Sequence, residues 1–342
     1  MEKAIIPKPI SGGLFLSYKC NCECRYCMYG CSPNWSEDWL SESDLEKILS
    51  ILSDKIEPSP LGKERVSLNY GLHFTGGEPF LNFRVLLSAV EIANELKIPS
   101  TFVETNCFWC KSDEFTRERL IELKQKGLKG ILISVNPFYL EYVPFERTER
   151  AIRISCEIFG ENVMIYQLEY YYQFKNSGIK GKLTIEEYLK KVKVENMIGM
   201  VELFLMGRAC YKLKDFYPKF PAKYFFGKKC FVPFLRKWHN HFDNYGNFIP
   251  GYCGGISLGN IRDLDFILKE GIALEKQPVL KFLVSENIKN LYEFAVKNFR
   301  YTELKEGYVS KCHLCVDIRK HLVEKTDEFE ELVPAEFYSH LD

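Results

Sequence analysis

Cys20, Cys24 and Cys27 stand on one short stretch, separated by three residues and then two. Thiolates at such spacing reach one metal centre. A cubane of four irons and four sulfides takes four outer ligands, one per iron, and these are normally cysteines. Three cysteines on one loop leave one iron open. An open metal position is where chemistry occurs, as in catalytic as opposed to structural zinc sites. By itself the spacing establishes a three-ligand metal site. Further along the chain Gly76-Gly77-Glu78-Pro79 ends an apolar stretch, where two glycines permit a close backbone approach.

A second cysteine set, Cys230, Cys253, Cys312 and Cys315, lies in the last third of the chain. Four thiolates satisfy a cubane completely and leave no open iron; a structural zinc fits the same ligand count. His239, His241 and His313 lie close in sequence to these cysteines and are either alternative ligands or ordinary packed residues. Cys107 and Cys110 read as a redox pair, a hydrogen donor or two buried thiols. Cys22, Cys31, Cys156 and Cys210 carry no assignment.

Composition bounds the rest. The chain has 342 residues, no formal net charge, 46% hydrophobic residues and 13 cysteines. It is long enough to bury a sizeable core in one large domain with an appendage, or in two domains. Charge balance argues against non-specific nucleic-acid binding and against an anionic-membrane binder, since both need a basic surplus. No apolar run approaches a membrane span. Residues 1–9 hold no long apolar stretch and no small-residue cleavage site, so a signal peptide is not expected and the cytoplasm is. In a reducing compartment clustered cysteines read as metal or catalytic sites before disulfides.

The elements that must position these residues alternate between strand and helix. Strands are expected at 13–18, 70–75, 101–105, 130–135, 163–169 and 200–206. A capping box over Ser43–Glu46 opens a helix with Leu45, Ile48, Leu49 and Leu52 on one stripe. Asn82 caps a helix to about Lys97, a helix from Asp113 stops at Gly127, another covers 149–159, and Thr184–Glu187 is a second capping box. Such β/α alternation implies a parallel sheet with helices outside, with functional residues at the C-terminal strand ends. The pattern does not separate a barrel from an open doubly wound sheet. Beyond Gly207-Arg208-Ala209 the periodicity fades. Residues 211–234 read as a packed linker, 241–249 as a β-hairpin turning near Asn244–Gly246, and 285–299 and 316–325 as helices.

Taken together, the cysteine triplet and Gly76–Pro79 resemble the radical S-adenosylmethionine (SAM) superfamily. The resemblance implies an α/β fold with a partial (β/α)6 TIM-like barrel over residues 1–210. It implies a [4Fe–4S] cluster on Cys20, Cys24 and Cys27 whose open iron is chelated by SAM. Reductive cleavage there yields a 5′-deoxyadenosyl radical that removes a hydrogen atom from the substrate. Gly76, Gly77, Glu78 and Pro79 match the segment that meets the SAM ammonium, and Tyr26 the aromatic residue against its adenine. Asn106 after Thr105, and Ser134, match polar strand-end positions pointed at SAM. Arg147 is a candidate partner of the SAM carboxylate, and Glu169 a further cofactor-side candidate. Cys107 stands where the family usually has glycine and is the one candidate for a catalytic side chain.

Residues 211–342 resemble the auxiliary-cluster appendages called SPASM and twitch domains, a β-hairpin plus helices. The features that match are Gly207-Arg208-Ala209, Cys253 and Leu258-Gly259-Asn260. Four candidate ligands fit one auxiliary [4Fe–4S] cluster on Cys230, Cys253, Cys312 and Cys315. The resemblance implies a peptide or protein substrate, oxidised or cross-linked, with dehydrogenation or rearrangement of a small molecule as the alternative. The short segment before Cys20, without a leader-binding domain, favours the small molecule. A low-potential ferredoxin or flavodoxin is the implied electron donor. The reading from a different class is a non-catalytic scaffold with zinc at both cysteine sets.

Overall fold

The computed structural model describes residues 2–36, 38–199 and 203–342. The chain divides into two compact units. One comprises Ile10–Cys24 and Cys31–Leu203, the other Met1–Pro9, Arg25–Gly30 and Phe204–Asp342. The division falls at 203/204 rather than 210/211, and the second unit also takes two segments from the start of the chain. Among the described residues the strands are, in chain order, β1 (Lys3–Ala4), β2 (Ser11–Phe15), β3 (Gly71–Thr75), β4 (Phe102–Thr105), β5 (Gly130–Ser134), β6 (Val163–Tyr166), β7 (Asn240–Phe242), β8 (Phe248–Ile249) and β9 (Ile272–Ala273).

In the larger unit β2 to β6 lie side by side in chain order, each pair parallel. The order never reverses, so this part of the sheet has no switch point of the doubly wound kind. Register and alternation separate its two faces. Leu72, Phe74, Val103, Ile131, Ile133 and Ile165 share one face, which is almost wholly apolar. The other face carries His73, Thr75, Glu104 and Ser134 among apolar neighbours. Most polar strand residues of this unit therefore share one side of the sheet, with Thr105, beside Ile133, on the other.

The helices follow from capping and stripe. The helix Glu42–Ser53 buries Leu45, Ile48, Leu49 and Leu52, each contributing about 1.5–3 kcal/mol on burial. Its cap is Ser41, whose hydroxyl accepts from Asp44 N, and not the expected Ser43–Glu46 box. Asn82 caps Phe83–Glu95 as expected, and Ser112 caps Asp113–Gln125, which closes before Gly127 at φ +110°. The Thr184–Glu187 box is complete in both directions.

Several boundaries differ from those the sequence predicts, among them β2, expected at 13–18 and observed at Ser11–Phe15. The helix expected at 149–159 begins at Phe145, directly after Pro144, which stands at the N-cap with ψ 137°. Strand β6 stops at Tyr166 instead of continuing to Glu169, because Gln167 turns into the left-handed region at φ +67°. The strand expected at 200–206 falls in part on Met200–Glu202, which lie outside the described residues; Leu203–Met206 are irregular.

In the smaller unit β1 pairs antiparallel with β9, and β7 with β8 as a hairpin. The buried Asp243 makes the hairpin turn, accepting from Tyr245 N and Asn247 N, with Gly246 at φ +89°. The helices Ile288–Phe299 and Lys311–Lys325 pack together. The second begins five residues before the expected Val316, because Ser310 caps it by accepting from His313 N.

Gly71 opens β3 at φ +77°, and a Cβ there would lie 2.2 Å from the Ser100 carbonyl oxygen. Backbone cannot yield as a flexible side chain does. Gly71→Ala is expected to cost at least about 2 kcal/mol of stability. Urea unfolding of the two proteins measures it, and an unchanged midpoint refutes the tight approach.

Candidate metal centre

Strand β2 delivers the chain into the cysteine loop. Leu16 N bonds to Thr75 O, Gly77 N to Ser17 O at 2.8 Å and Glu78 N to Lys19 O at 3.1 Å. The chain from β2 toward Cys20 is thus bound to the end of β3 and the turn after it by backbone hydrogen bonds. Gly76 and Gly77 make this approach possible. A Cβ on Gly76 would lie 2.3 Å from Ser17 O, and one on Gly77 2.0 Å from Lys19 O. The glycines first make room for the protein's own chain.

Cys20, Cys22 and Cys24 are buried free thiols. Cys22 N donates to Cys20 Sγ at 3.4 Å, and hydrogen bonding to Cys20 and Cys24 pushes the Cys22 thiol up. The three sulfurs therefore converge. Asn106 Nδ2 donates to Asn21 Oδ1 at 2.9 Å and to the sulfurs of Cys22 and Cys20 at 3.4 and 3.8 Å. Convergent thiols met by N–H donors are the surroundings a thiolate-bound iron–sulfur group needs. Cys22 is the thiol that the sequence reading left unassigned, and the alternation Cys20, Cys22, Cys24 was its signal.

Glu78 does not hang free beside the loop. It is 1% exposed, and its carboxylate accepts from Asn106 N at 2.8 Å, Phe80 N at 3.2 Å and Thr105 Oγ1 at 3.0 Å. It thereby ties the Gly-Gly turn to the end of β4, from which Asn106 reaches the cysteines. Pro79 opens the short 3-10 turn that follows. Burial pushes the Glu78 carboxyl up to about 7, with the Asn106, Phe80 and Thr105 donors pulling it down.

Cys27 and Tyr26 belong to the segment Arg25–Gly30 of the smaller unit. Cys27 is half-buried, and its carbonyl accepts from Arg208 N at 3.0 Å. Buried Arg208 also donates from Nη2 to Gly30 O and from Nε to His340 O. A Cβ on Gly207, at φ +54°, would lie 2.2 Å from Met28 O. The Gly207-Arg208 pair is thus a clamp on the backbone carrying Cys27. Tyr26 is buried, and its hydroxyl accepts from Phe204 N.

The remaining candidates scatter. Ser134 is half-buried at the end of β5. Arg147 donates to Phe108 O, so it braces the loop after β4. Glu169 is exposed in the first turn of the helix Leu168–Asn176 and not at a strand end. Cys107 holds φ +67°, the left-handed geometry that favours glycine. Cys107 and Cys110 are wholly buried, and burial with the neighbouring Cys110 pushes the Cys107 thiol up. Neither thiol reaches solvent. The sequence reading passed over Glu104. Its carboxylate accepts from Thr75 Oγ1 at 2.7 Å, lies 3.6 Å from His73 Nε2, and is pushed up to about 7 by burial.

In the smaller unit Cys230, Cys253, Cys312 and Cys315 line one pocket with Met206, Tyr252, Lys311 and Arg319. Cys312 and Cys315 share a face at the start of Lys311–Lys325 by their three-residue spacing. All four are free thiols, and burial pushes Cys312 up to about 12. Ligation by a metal would remove those protons. His313 turns instead to Tyr211 and Tyr308, and His241 Nδ1 lies 2.8 Å from Gly251 O. Cys210 donates to Leu205 O.

A carboxyl raised in the folded state leaves that state holding a proton the unfolded chain has lost. Below about pH 4.5 both forms are protonated and Glu78 contributes nothing. Stability falls as pH rises toward 7, by on the order of 3 kcal/mol. Glu78→Gln is expected to flatten this fall, read by urea unfolding across that window. An equally steep profile in the variant contradicts the assignment.

Residues 13–135 match a family model, Fer4_12, described as a 4Fe-4S single cluster domain. No curated protein matches the chain. Among solved structures, BtrN in complex with AdoMet and 2-DOIA aligns at 15% identity and a TM-score of 0.40, covering 79% of this chain and 89% of that one. Native anSMEcpe with bound AdoMet and Cp18Cys peptide aligns at 13% identity and 0.43, covering 92% and 97%. Native anSMEcpe with bound AdoMet aligns at 14% and 0.43, covering 97% and 95%. Residues 13–135 are thus similar to a 4Fe-4S single cluster domain, and that stretch carries Cys20, Cys24, Cys27 and the Gly76-Gly77-Glu78-Pro79 turn.

Proposed function

We propose that the chain works as a radical SAM enzyme that abstracts a hydrogen atom from a peptide or protein substrate, leading to its oxidation or cross-linking. The observation that carries the enzymatic reading is the cysteine loop bound by backbone to the Gly76-Gly77 turn, within the matched 4Fe-4S domain. Cys20, Cys24 and Cys27 would hold a [4Fe–4S] group, which together with SAM would supply the one-electron chemistry for hydrogen abstraction. The chain's own residues hold and shield that group. Gly76 and Gly77 set the loop's path, Glu78 fixes Asn106, and Asn106 donates toward the sulfurs of the loop. Tyr26, Ser134 and Arg147 are the remaining cofactor-side residues of this reading. Strands β2–β6 form part of a (β/α) barrel in it, a low-potential ferredoxin or flavodoxin supplies the electron, and the cytoplasm is its compartment. Among the described residues no helix is long and apolar enough to cross a membrane.

A second metal group belongs to the same reading. Four free thiols lining one pocket fit a fully ligated auxiliary [4Fe–4S] cluster on Cys230, Cys253, Cys312 and Cys315. The likeness of residues 211–342 to SPASM and twitch appendages favours the peptide or protein substrate in this reading.

Anaerobic reconstitution is expected to load about eight irons per chain and to yield 5′-deoxyadenosine from SAM with dithionite. Zinc in place of iron at both cysteine sets overturns the reading. Removing Cys20, Cys24 or Cys27 is expected to abolish SAM cleavage and about half of the iron. Cys22→Ala is expected to keep a cluster whose EPR spectrum changes on adding SAM. A response to SAM in C22A that the wild-type cluster lacks makes Cys22 a fourth ligand and leaves the wild type no open iron.

A further inference from the structure

We propose that Lys311 and Arg319 are the counter-ions of the four-cysteine site and hold up the reduction potential of an iron–sulfur group bound there. The inference rests on the auxiliary-cluster reading above and adds what this chain's own residues do to it.

The sulfur ligands bring a charge problem. Four thiolates around a cubane leave the whole group anionic, and reduction makes it more so. An anion buried without compensation is costly. The residues lining the pocket include two cations and no carboxylate. Lys311 Nζ donates to Cys230 Sγ at 2.7 Å and to Lys229 O at 3.1 Å, so its ammonium already sits on a ligand sulfur. Arg319 is 3% exposed. Its Nη1 donates to Gly254 O and to Tyr338 Oη, both at 3.0 Å, which fixes the guanidinium plane. Its Nε finds no acceptor although it is buried. An orphaned buried donor asks for a missing partner. On the wall of a thiol-lined pocket, anionic sulfur is the acceptor that completes it.

The two cations differ in kind. Arg319 is permanently charged, desolvated and held by two fixed acceptors. Lys311 is half-exposed at the first position of its helix, with one contact to a ligand and one to backbone. Positive charge near a cluster favours its reduced, more anionic state, so both residues raise the potential relative to an uncompensated site. Lys311 can be changed with little effect on the core. Arg319 ties Gly254 to Tyr338, so its loss also disturbs packing.

The test is a potentiometric titration of the full-length reconstituted protein, followed by EPR. A Cys20→Ala/Cys24→Ala/Cys27→Ala background isolates the signal of the four-cysteine site. Lys311→Met is expected to lower the potential, so that the ratio of reduced to oxidised cluster at a fixed poise falls about tenfold, which corresponds to about 59 mV for one electron. Lys311→Arg is expected to restore the wild-type value. If the triple-alanine background binds zinc or no redox-active iron, the auxiliary-cluster reading fails and this inference falls with it. If a cluster is present and K311M titrates like wild type, the counter-ion role alone is refuted. Cluster loss in K311M but not K311R supports the charge requirement; loss in both overturns it.

Discussion

The approach of two backbones governs the larger unit's site. The chain leaving β2 passes so close to the turn after β3 that Gly77 has no space for a Cβ, and hydrogen bonds tie Gly77 to Ser17 and Glu78 to Lys19. Such bonds are short and directional, and they fix the chain's path before any side chain contributes. A loop that must present sulfurs to one centre gains from this. Its entry is set by the sheet itself, whose parallel register leaves little freedom at strand ends.

From that contact the polar residues follow in sequence. Because the Gly-Gly turn is fixed, Glu78 projects to one place, where it meets Thr105 and Asn106 at the end of β4. Because Asn106 is held through its backbone, its side chain is free to reach Asn21 and the cysteine sulfurs. The cost is an acidic group under desolvation, offset in part by three donors. A buried carboxyl near neutrality is tolerated at a site that needs fixed geometry more than it needs stability.

The smaller unit meets the same demand with other means. Gly207 and Arg208 grip the backbone around Cys27 and Met28 through carbonyls, while Lys311 and Arg319 bring positive charge to the four-cysteine pocket. In both units glycines admit close backbone approach, and a buried charged side chain secures the neighbouring segment.

The strand–helix alternation, the Asn82 cap, the Thr184 box and the stop at Gly127 were readable from the chain, because each depends on neighbours a few residues away. The shared helix face of Cys312 and Cys315 was readable too, since three-residue spacing on a helix is a local property. Misplaced ends had local causes that composition did not reveal: the Ser41 cap, the left-handed Gln167 and the early start at Ser310. What only tertiary structure decided is which distant groups meet. Cys22 joining Cys20 and Cys24, Glu78 engaging Asn106 rather than a ligand, and Arg319 facing four thiols depend on packing or rotamer choices that no short window encodes. Residue type and spacing determined that a grouping of thiols belongs to this protein, because neighbouring side chains on one loop or helix face are placed by local covalent reach. The surroundings that tune it come from remote segments, and only the folded chain brings those together.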